Sequence, residues 1–465
     1  MTGRWTRLGA MLAVAAGLGL GLGLLTLAPS RVGLAGAILL VGGAATLYVW
    51  FAGWRVGLVC LLIVTNFLDR YTFRAGSVDI RAEQLAAILG LVALVYLLMW
   101  RRRGWDIFRP NLAEALVVLW IVIALLSSLT AAPDVGRSIK GVALLAVSAL
   151  GLALPRRLVE PAIRADVDLI VEMLLLVFAV EAAYGTLAFL AHVFGSDVSL
   201  GANVASGHLN AYGTLWEPNV FGAFCASGAV LWAWLGQRHF RFAWIGIAVC
   251  LGGLIASFTR AGWAIGLLML AIIALAQRRQ RPIMRELLIG AAGGVVIGLI
   301  IYGAGRVSDY YVPVNNGTAI VQPTQHGLSA LLANPIDVIG RLDQVRIAGP
   351  DIESHLLIGS GVASFGERHP IAHQAEQHLA NLELTVLNDT GVLGLLAFLG
   401  FGAAVIVAAW RRRRDPTVAG LGVATLVIAL TNIATETTEL MITWLLVGLL
   451  LLAVDAAARS GETGS

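Results

Sequence analysis

Long apolar runs separated by short polar breaks rich in arginine make up almost the whole chain. They lie at residues 8–28, 32–53, 56–68, 83–100, 112–131, 138–155, 168–194, 220–236, 243–258, 263–277, 287–303, 391–410, 417–434 and 438–455. A helix needs about 20 predominantly apolar residues to cross a bilayer. The pattern therefore predicts about 12–14 transmembrane helices, the lower figure holding if short runs such as 56–68 and 263–277 are re-entrant or merged. It fails once at length, over residues 304–390. The expected organisation is transmembrane helices in 1–303, a large loop over 304–390, and C-terminal transmembrane helices in 391–465. Within the loop, Val338, Leu342 and Val345 recur at helical spacing in LSALLANPIDVIGRLDQVRIAG, which predicts an amphipathic helix on the membrane surface.

Composition agrees with this reading and excludes a soluble protein. Hydrophobic residues make up 58% of the chain and charged residues only 13%, against about a quarter in soluble domains. Mean hydropathy is +0.83. The expected fold class is thus all-α, a polytopic integral membrane protein. Its amino end has a short basic start and a Gly-rich apolar run continuing to Ala28 with no clear small-x-small cleavage site, and it reads as a retained first span. Cys60, Cys225 and Cys250 lie within apolar runs with no metal-like spacing, which suggests neither a disulfide framework nor a zinc site.

Charge sets the expected orientation. Cytoplasmic loops carry an excess of basic residues, and alternate breaks do so here: Arg4 and Arg7, Arg55, Arg101 to Arg103, Arg156 and Arg157, Arg238 and Arg241, Arg278 to Arg281 with Arg285, and Arg411 to Arg414. Both termini are then cytoplasmic. The 304–390 loop, the turn at Arg260 and the stretch 196–219 fall together on the extracytoplasmic face. Lys140 is the only lysine, so the basic balance is an arginine balance and is read as topology rather than as a nucleic-acid surface. Glycines such as Gly290, Gly293 and Gly294 suit close helix approach, and Trp50, Trp54, Trp100, Trp105 and Trp216 suit an interfacial belt.

Few residues carry chemistry. Arg260, in GGLIASFTRAGWAIGLLML, stands between two apolar runs at the expected outer interface. It is either a snorkelling side chain or an anion clamp, since a guanidinium binds phosphate oxygens bidentately and stays charged. Arg341 and Arg346 on the amphipathic helix sit where they too could meet a lipid diphosphate. His369, His373 and His378 crowd a short stretch beside Glu376, Asn381 and Asp389. Histidine is the natural general base for a sugar hydroxyl. His369 and His373 also have a metal-like spacing, but Pro370 and the want of a third ligand weigh against a metal. Asp166 and Asp168, in a predicted cytoplasmic loop, read as helix-capping residues rather than as a metal-binding pair.

In order and topology, SFTRAGWAIG, EPNVFGAFCASG, GRLDQVR followed by IGSGVASF, and ANLELTVLNDTGVLGLLAFLGF resemble the O-antigen ligase and polymerase superfamily of membrane glycan transferases, over about residues 200–410. The resemblance implies transfer of a glycan from undecaprenyl diphosphate to a hydroxyl of an acceptor glycan or lipid. The transfer would take place on the outer face of the bacterial cytoplasmic membrane and use no metal or other cofactor. It implies that Arg260 and Arg341, with Arg346 in support, bind the donor diphosphate, and that a loop histidine activates the acceptor. The family's His-Asn pair falls at positions 380 and 381, where this chain has Ala380 and Asn381. The nearest histidine, His378, is two residues early, a rotation of about 200° on a helix. His378 or His373 would then be the base, or Glu376, or no strong base at all. Asn381, Glu217 and Asn219 would orient the acceptor or cap helices. Two alternatives remain, a non-catalytic homologue and a carrier of lipid-linked glycans. The carrier rests on Glu181, an ionisable residue inside a predicted span, which either couples to transport or pairs with another span.

Overall fold

In a computed structural model the described residues of the protein are mostly helical. The structure describes residues 53–66, 72–75, 78–100, 109–161, 163–194, 201–205, 208–215, 217–307, 311–313, 319–321, 336–369, 379, 381–438 and 440–462. The predicted span 8–28 and all of 32–53 but Gly53 lie outside them. Nine helices among the described residues are long and apolar enough to cross a membrane, and three shorter apolar helices accompany them. The chain is a multi-pass membrane protein, and its described residues fall into two compact units divided at Ala86/Ala87, Ala162/Ile163 and Ala333/Asn334.

The first unit holds α1 (Trp54–Thr65), β1 (Thr72–Ala75) and β2 (Val78–Arg81). After the break to the second unit come α5 (Arg164–Val193), β3 (Ala202–Ala205), β4 (His208–Ala211), α6 (Pro218–His239), α7 (Ala243–Ala256), α8 (Arg260–Gln277), α9 (Arg281–Val307), β5 (Tyr311–Pro313) and β6 (Ala319–Val321). The strands form three antiparallel two-stranded hairpins, an addition to the all-α expectation. Helix α7 packs against α5, α6 and α9. Small residues make this possible: a Cβ on Gly290 would come within 2.6 Å of Ile247, on Gly293 within 2.8 Å of Ala248, and on Gly294 within 2.7 Å of Leu251. Without a hydrophobic drive between helices in lipid, close backbone approach is what holds such pairs. The outer faces of α8 and α9 are as apolar as their inner ones, with Leu267, Leu268, Leu275, Leu288, Val295 and Leu299 exposed. A helix apolar all round suits lipid on one side and protein on the other.

The second unit begins within α2 (Ala82–Trp100), whose first residues belong to the first unit. It continues with α3 (Leu112–Ala131), α4 (Val135–Leu158), α10 (Ile336–Ser354), α11 (Phe365–Arg368), α12 (Leu382–Arg411), α13 (Pro416–Thr431) and α14 (Met441–Glu462). Helix α3 packs along α12 and α4 along α14. In the second pair Gly448 and Gly151 meet backbone to backbone, a Cβ on Gly448 falling 2.5 Å from the Gly151 carbonyl oxygen. At one end of α3, Glu114 closes a capping box with Asn111 and accepts from both Arg156 and Arg157 at 2.8 Å, while Arg156 also reaches Asp455. At the other end, about 21 Å away by helical rise, Ser127 and Ser128 take up the loop that precedes α11.

Helix α12 starts at Leu382, ahead of the apolar run at 391, and kinks at Gly391 (φ 64°, ψ −169°). Residues 382–390 are too polar to register as a membrane run, yet they are helical and Asn388, Asp389 and Thr390 are buried. Helix α10 forms where an amphipathic helix was expected. Its buried contact is made by Ala348, against Phe365 and Leu379 with Ile352 beside them, whereas Val345 of the predicted apolar stripe is 49% exposed.

Candidate functional site

In the first unit the sequence places its distinctive cation on a built corner. The segment Ser257–Thr259 turns sharply between α7 and α8, Phe258 adopting φ 53°, and Arg260 becomes the first residue of α8. Three bonds fix the turn: Ser257 Oγ donates to the Leu254 carbonyl at 2.7 Å, Trp263 Nε1 donates to the same carbonyl at 2.7 Å, and Thr259 Oγ1 donates to the Pro218 carbonyl at 2.8 Å. Pro218 opens α6. The N-termini of α6 and α8 therefore adjoin, and Gly222 permits it, since a Cβ there would lie 2.7 Å from Thr259 Cβ. Glu217 at the N-cap of α6, Asn219 in its first turn and Arg260 in that of α8 are brought to one corner by this contact. Glu217 makes no side-chain cap, and Arg260 is partly buried. A helix N-terminus presents unpaired N–H groups and a positive dipole end. Two such ends and the Arg260 guanidinium attract negative charge, and the Glu217 carboxylate at the same corner is one that the chain itself supplies.

Behind this corner lies Glu181, wholly buried on α5. Its two carboxylate oxygens accept from the Thr214 backbone N–H at 2.7 Å and the Thr214 hydroxyl at 2.9 Å. Gly213, at φ 60°, leaves the carboxylate room, because a Cβ there would overlap Oε1 at 2.0 Å. The partner of this intramembrane carboxylate is thus the segment following the β3–β4 hairpin and not another span.

In the second unit the motif IGSGVASF is threaded into the kink of α12. The Ser360 and Gly361 N–H groups donate to the Asn388 and Asp389 carbonyls, and Val392 and Leu393 donate back to Leu356 and Leu357. Asp389 Oδ2 accepts from the Ala363 N–H at 3.2 Å, and Ser127 Oγ donates to the Asp389 carbonyl at 2.7 Å. Gly359 and Gly361 take left-handed backbone, and a Cβ on Gly359 would sit 2.4 Å from the Asp389 carbonyl, so both conformation and space call for glycine at 359. From Gly359 to Ser364 every backbone N–H already has a protein acceptor. The motif is therefore a structural lock and not an anion cradle.

Beyond the lock the chain reaches the turn between α3 and α4. Arg368 donates to the Ala131 carbonyl at 2.8 Å, and Glu367 accepts from the Asp134 N–H and pairs with Arg137 at 3.4 Å. His369 Nε2 lies 2.7 Å from Asp351 Oδ2. Sequence reading had noted His369 but not this partner, which comes from α10 and is close only through the loop's fold. His373, Glu376 and His378 lie outside the described residues, as does Ala380. Asn381 is the N-cap of α12: its Oδ1 accepts from Leu384 N–H at 2.8 Å and its Nδ2 donates to the Ile433 carbonyl at 3.0 Å. Both ends of that amide are occupied by backbone, which makes it a capping residue. Arg341 and Arg346 lie on α10, with Arg346 exposed. Asp166 lies in the first turn of α5 and Asp168 pairs with Arg164, a helix-end arrangement. Compared with known protein families the chain matches no family model, and a search of curated proteins finds no match.

Proposed function

We propose that the protein transfers a glycan from an undecaprenyl-diphosphate-linked donor to an acceptor hydroxyl on the outer face of the cytoplasmic membrane, as O-antigen ligases and polymerases do. The observation that carries this reading is the corner at the N-termini of α6 and α8, where Arg260 adds a permanent positive charge to two helix ends. Acidic residues normally occupy the first turn of a helix, and a basic one there works against the dipole. An anionic ligand reverses that cost. A diphosphate gains negative charge as its bond to the anomeric carbon breaks, so such a corner stabilises the transition state more than the bound donor.

The arginine bias supports the sidedness. If the end of α3 and α4 that holds Arg156 and Arg157 is cytoplasmic, the segment 360–369 belongs to the outer end of that helix pair. Glu181, which pointed toward a carrier, is bound by Thr214 within the fold, and this leaves transfer the better-supported reading.

The test is binding of undecaprenyl diphosphate to the purified protein in lipid nanodiscs. Arg260→Ala is expected to weaken it by about 1.5–3 kcal/mol, roughly 10- to 150-fold in Kd, the worth of a hydrogen bond to a charged group. Unchanged affinity for the diphosphate would remove Arg260 from the site.

A further inference from the structure

We propose that the end of the first unit where α6 turns into α7 and α8 into α9 is a binding surface for the acidic phospholipids of the leaflet it faces. The end of α6 and the turn to α7 carry Arg238 and Arg241. The turn from α8 and the start of α9 carry Arg278, Arg279, Arg281 and Arg285, and all six guanidinium-bearing residues are exposed. Two hydrogen bonds draw the turns together. Gln237 Nε2 donates to the Pro282 carbonyl at 2.6 Å, and the Trp244 backbone N–H donates to Glu286 Oε2 at 3.1 Å.

The carboxylates nearby leave most of this charge uncompensated. Glu286 is engaged by Arg285 at 2.9 Å and by the Trp244 N–H, Glu172 on α5 lies 3.1 Å from His239 Nδ1, and Asp168 pairs with Arg164. Arg241 stacks on Phe242, its guanidinium carbon 5.3 Å from the ring centroid. Among the described residues Arg238, Arg278, Arg279 and Arg281 have no hydrogen-bond or ion-pair partner through their side chains. The arginines of the second unit's α4 are placed differently, since Arg156 and Arg157 both bind Glu114 and Arg156 also binds Asp455. Orientation in the membrane asks for basic residues at an end, not for their crowding without counter-charge. Like charges gathered on one rim repel, and Arg281 opens α9 against the positive end of a helix that has no acidic residue in its first turn. Phosphate among the guanidiniums offsets both costs.

The apolar surface beside the rim makes the anion a lipid. Phe242 adjoins Arg241, Ile245 lies one helical turn beyond it, Leu275 one turn before Arg278 and Leu288 one turn after Arg285, and all four are exposed. A guanidinium binds phosphate oxygens bidentately and keeps its charge, while the apolar side chains a turn deeper meet acyl chains. Soluble phosphate can make the first contact alone. A phospholipid makes both, and an acidic headgroup carries the net negative charge that a zwitterionic one lacks. Basic sites between the ends of transmembrane helices hold such headgroups.

The experiment titrates the full-length protein, stripped of lipid in detergent, with phosphatidylglycerol, with phosphatidylcholine of the same acyl chains, and with glycerol phosphate. Bound lipid is read by native mass spectrometry; none of these probes is a glycan donor, so the outcome does not depend on the transferase reading. Each arginine beside a headgroup phosphate is worth roughly fivefold in affinity. Arg238→Gln, Arg278→Gln, Arg279→Gln and Arg281→Gln together should therefore weaken the tightest phosphatidylglycerol by roughly a hundredfold or more and leave phosphatidylcholine unchanged, while Lys at the same positions should keep most of the binding. Arg411→Gln, Arg412→Gln and Arg414→Gln together, in an exposed basic run of the second unit, should leave the tightest site intact. Should the Gln set not fold, as its melting temperature with phosphatidylcholine would show, wild type alone decides: rising salt should weaken phosphatidylglycerol and spare phosphatidylcholine. Equal affinity for the two lipids, or salt-insensitive binding of phosphatidylglycerol, would overturn the proposal. So would an equal loss from the second-unit set, which leaves diffuse attraction alone, or displacement of the lipid by glycerol phosphate at equal concentration, which makes the ligand a soluble anion.

Discussion

At Gly391 the chain takes φ 64° and ψ −169°, a conformation open essentially to glycine alone, and a Cβ would meet the Leu357 carbonyl carbon at 2.5 Å. Gly391→Ala should therefore cost about 2–4 kcal/mol from strain and overpacking together, seen as a lowered melting temperature in detergent. The same logic governs Glu181. Thr214→Val removes one of the two donors to a buried carboxylate and is expected to cost about 1–3 kcal/mol, whereas Glu181→Gln keeps an acceptor for the backbone N–H and a donor for the hydroxyl and should be nearly neutral. Equal destabilisation by Glu181→Gln and Thr214→Val would mean that the charge itself holds the hairpin. The sequence shows Glu181 as an ionisable residue in an apolar run and His369 as one of three clustered histidines. It does not show Thr214 or Asp351 as their partners. Those contacts depend on how a hairpin and a loop fold back, which no local periodicity encodes.

Individual helices were far more legible. Apolar length alone located α2 to α8 and α13 to within four residues, because a bilayer demands continuous apolarity and the interruptions are arginines and prolines. The start of α12 was not legible for a complementary reason. Residues 382–390 face protein and carry polar groups that the lock satisfies, so hydropathy, which reads lipid exposure, places the helix nine residues late. Glycine spacing correctly marked the face of α9 that approaches α7, while the Gly151–Gly448 contact between α4 and α14 joins segments far apart in the chain and has no local mark. Gly448→Val should separate α4 from α14 and destabilise the fold markedly. Gly402→Ala on α12, where nothing lies within 4 Å of the new methyl, should be neutral or stabilising by up to about 1 kcal/mol. A comparable loss in both variants, measured by thermal unfolding in the same detergent, would show that backbone contact is not what makes Gly448 necessary.

For the molecule as a whole, the deciding interactions span great sequence distance: Ser127 and Asp389, 262 positions apart, meet in the lock. Packing accordingly joins residues 87–162 to the C-terminal part of the chain, a division distinct from the membrane topology of spans and loop. The arginines that set the expected orientation also have structural work, since Arg156 and Arg157 both bind the buried Glu114. Glu114→Ala would leave two arginines without that carboxylate and is expected to cost about 3–5 kcal/mol. The ordered motifs carry an expectation of orientation and function, and the fold accounts for one of them, IGSGVASF, as a scaffold. Glycan transfer from a lipid diphosphate is proposed to depend on the corner built around Arg260. Its most direct test is transfer from labelled undecaprenyl-diphosphate oligosaccharide by the purified protein in nanodiscs with EDTA present. Wild type should give a glycosidic product and folded Arg260→Ala roughly a hundredfold slower turnover, the loss of about 3 kcal/mol of transition-state stabilisation. Movement or release of the donor without any glycosidic bond, or full turnover by Arg260→Ala, would contradict it.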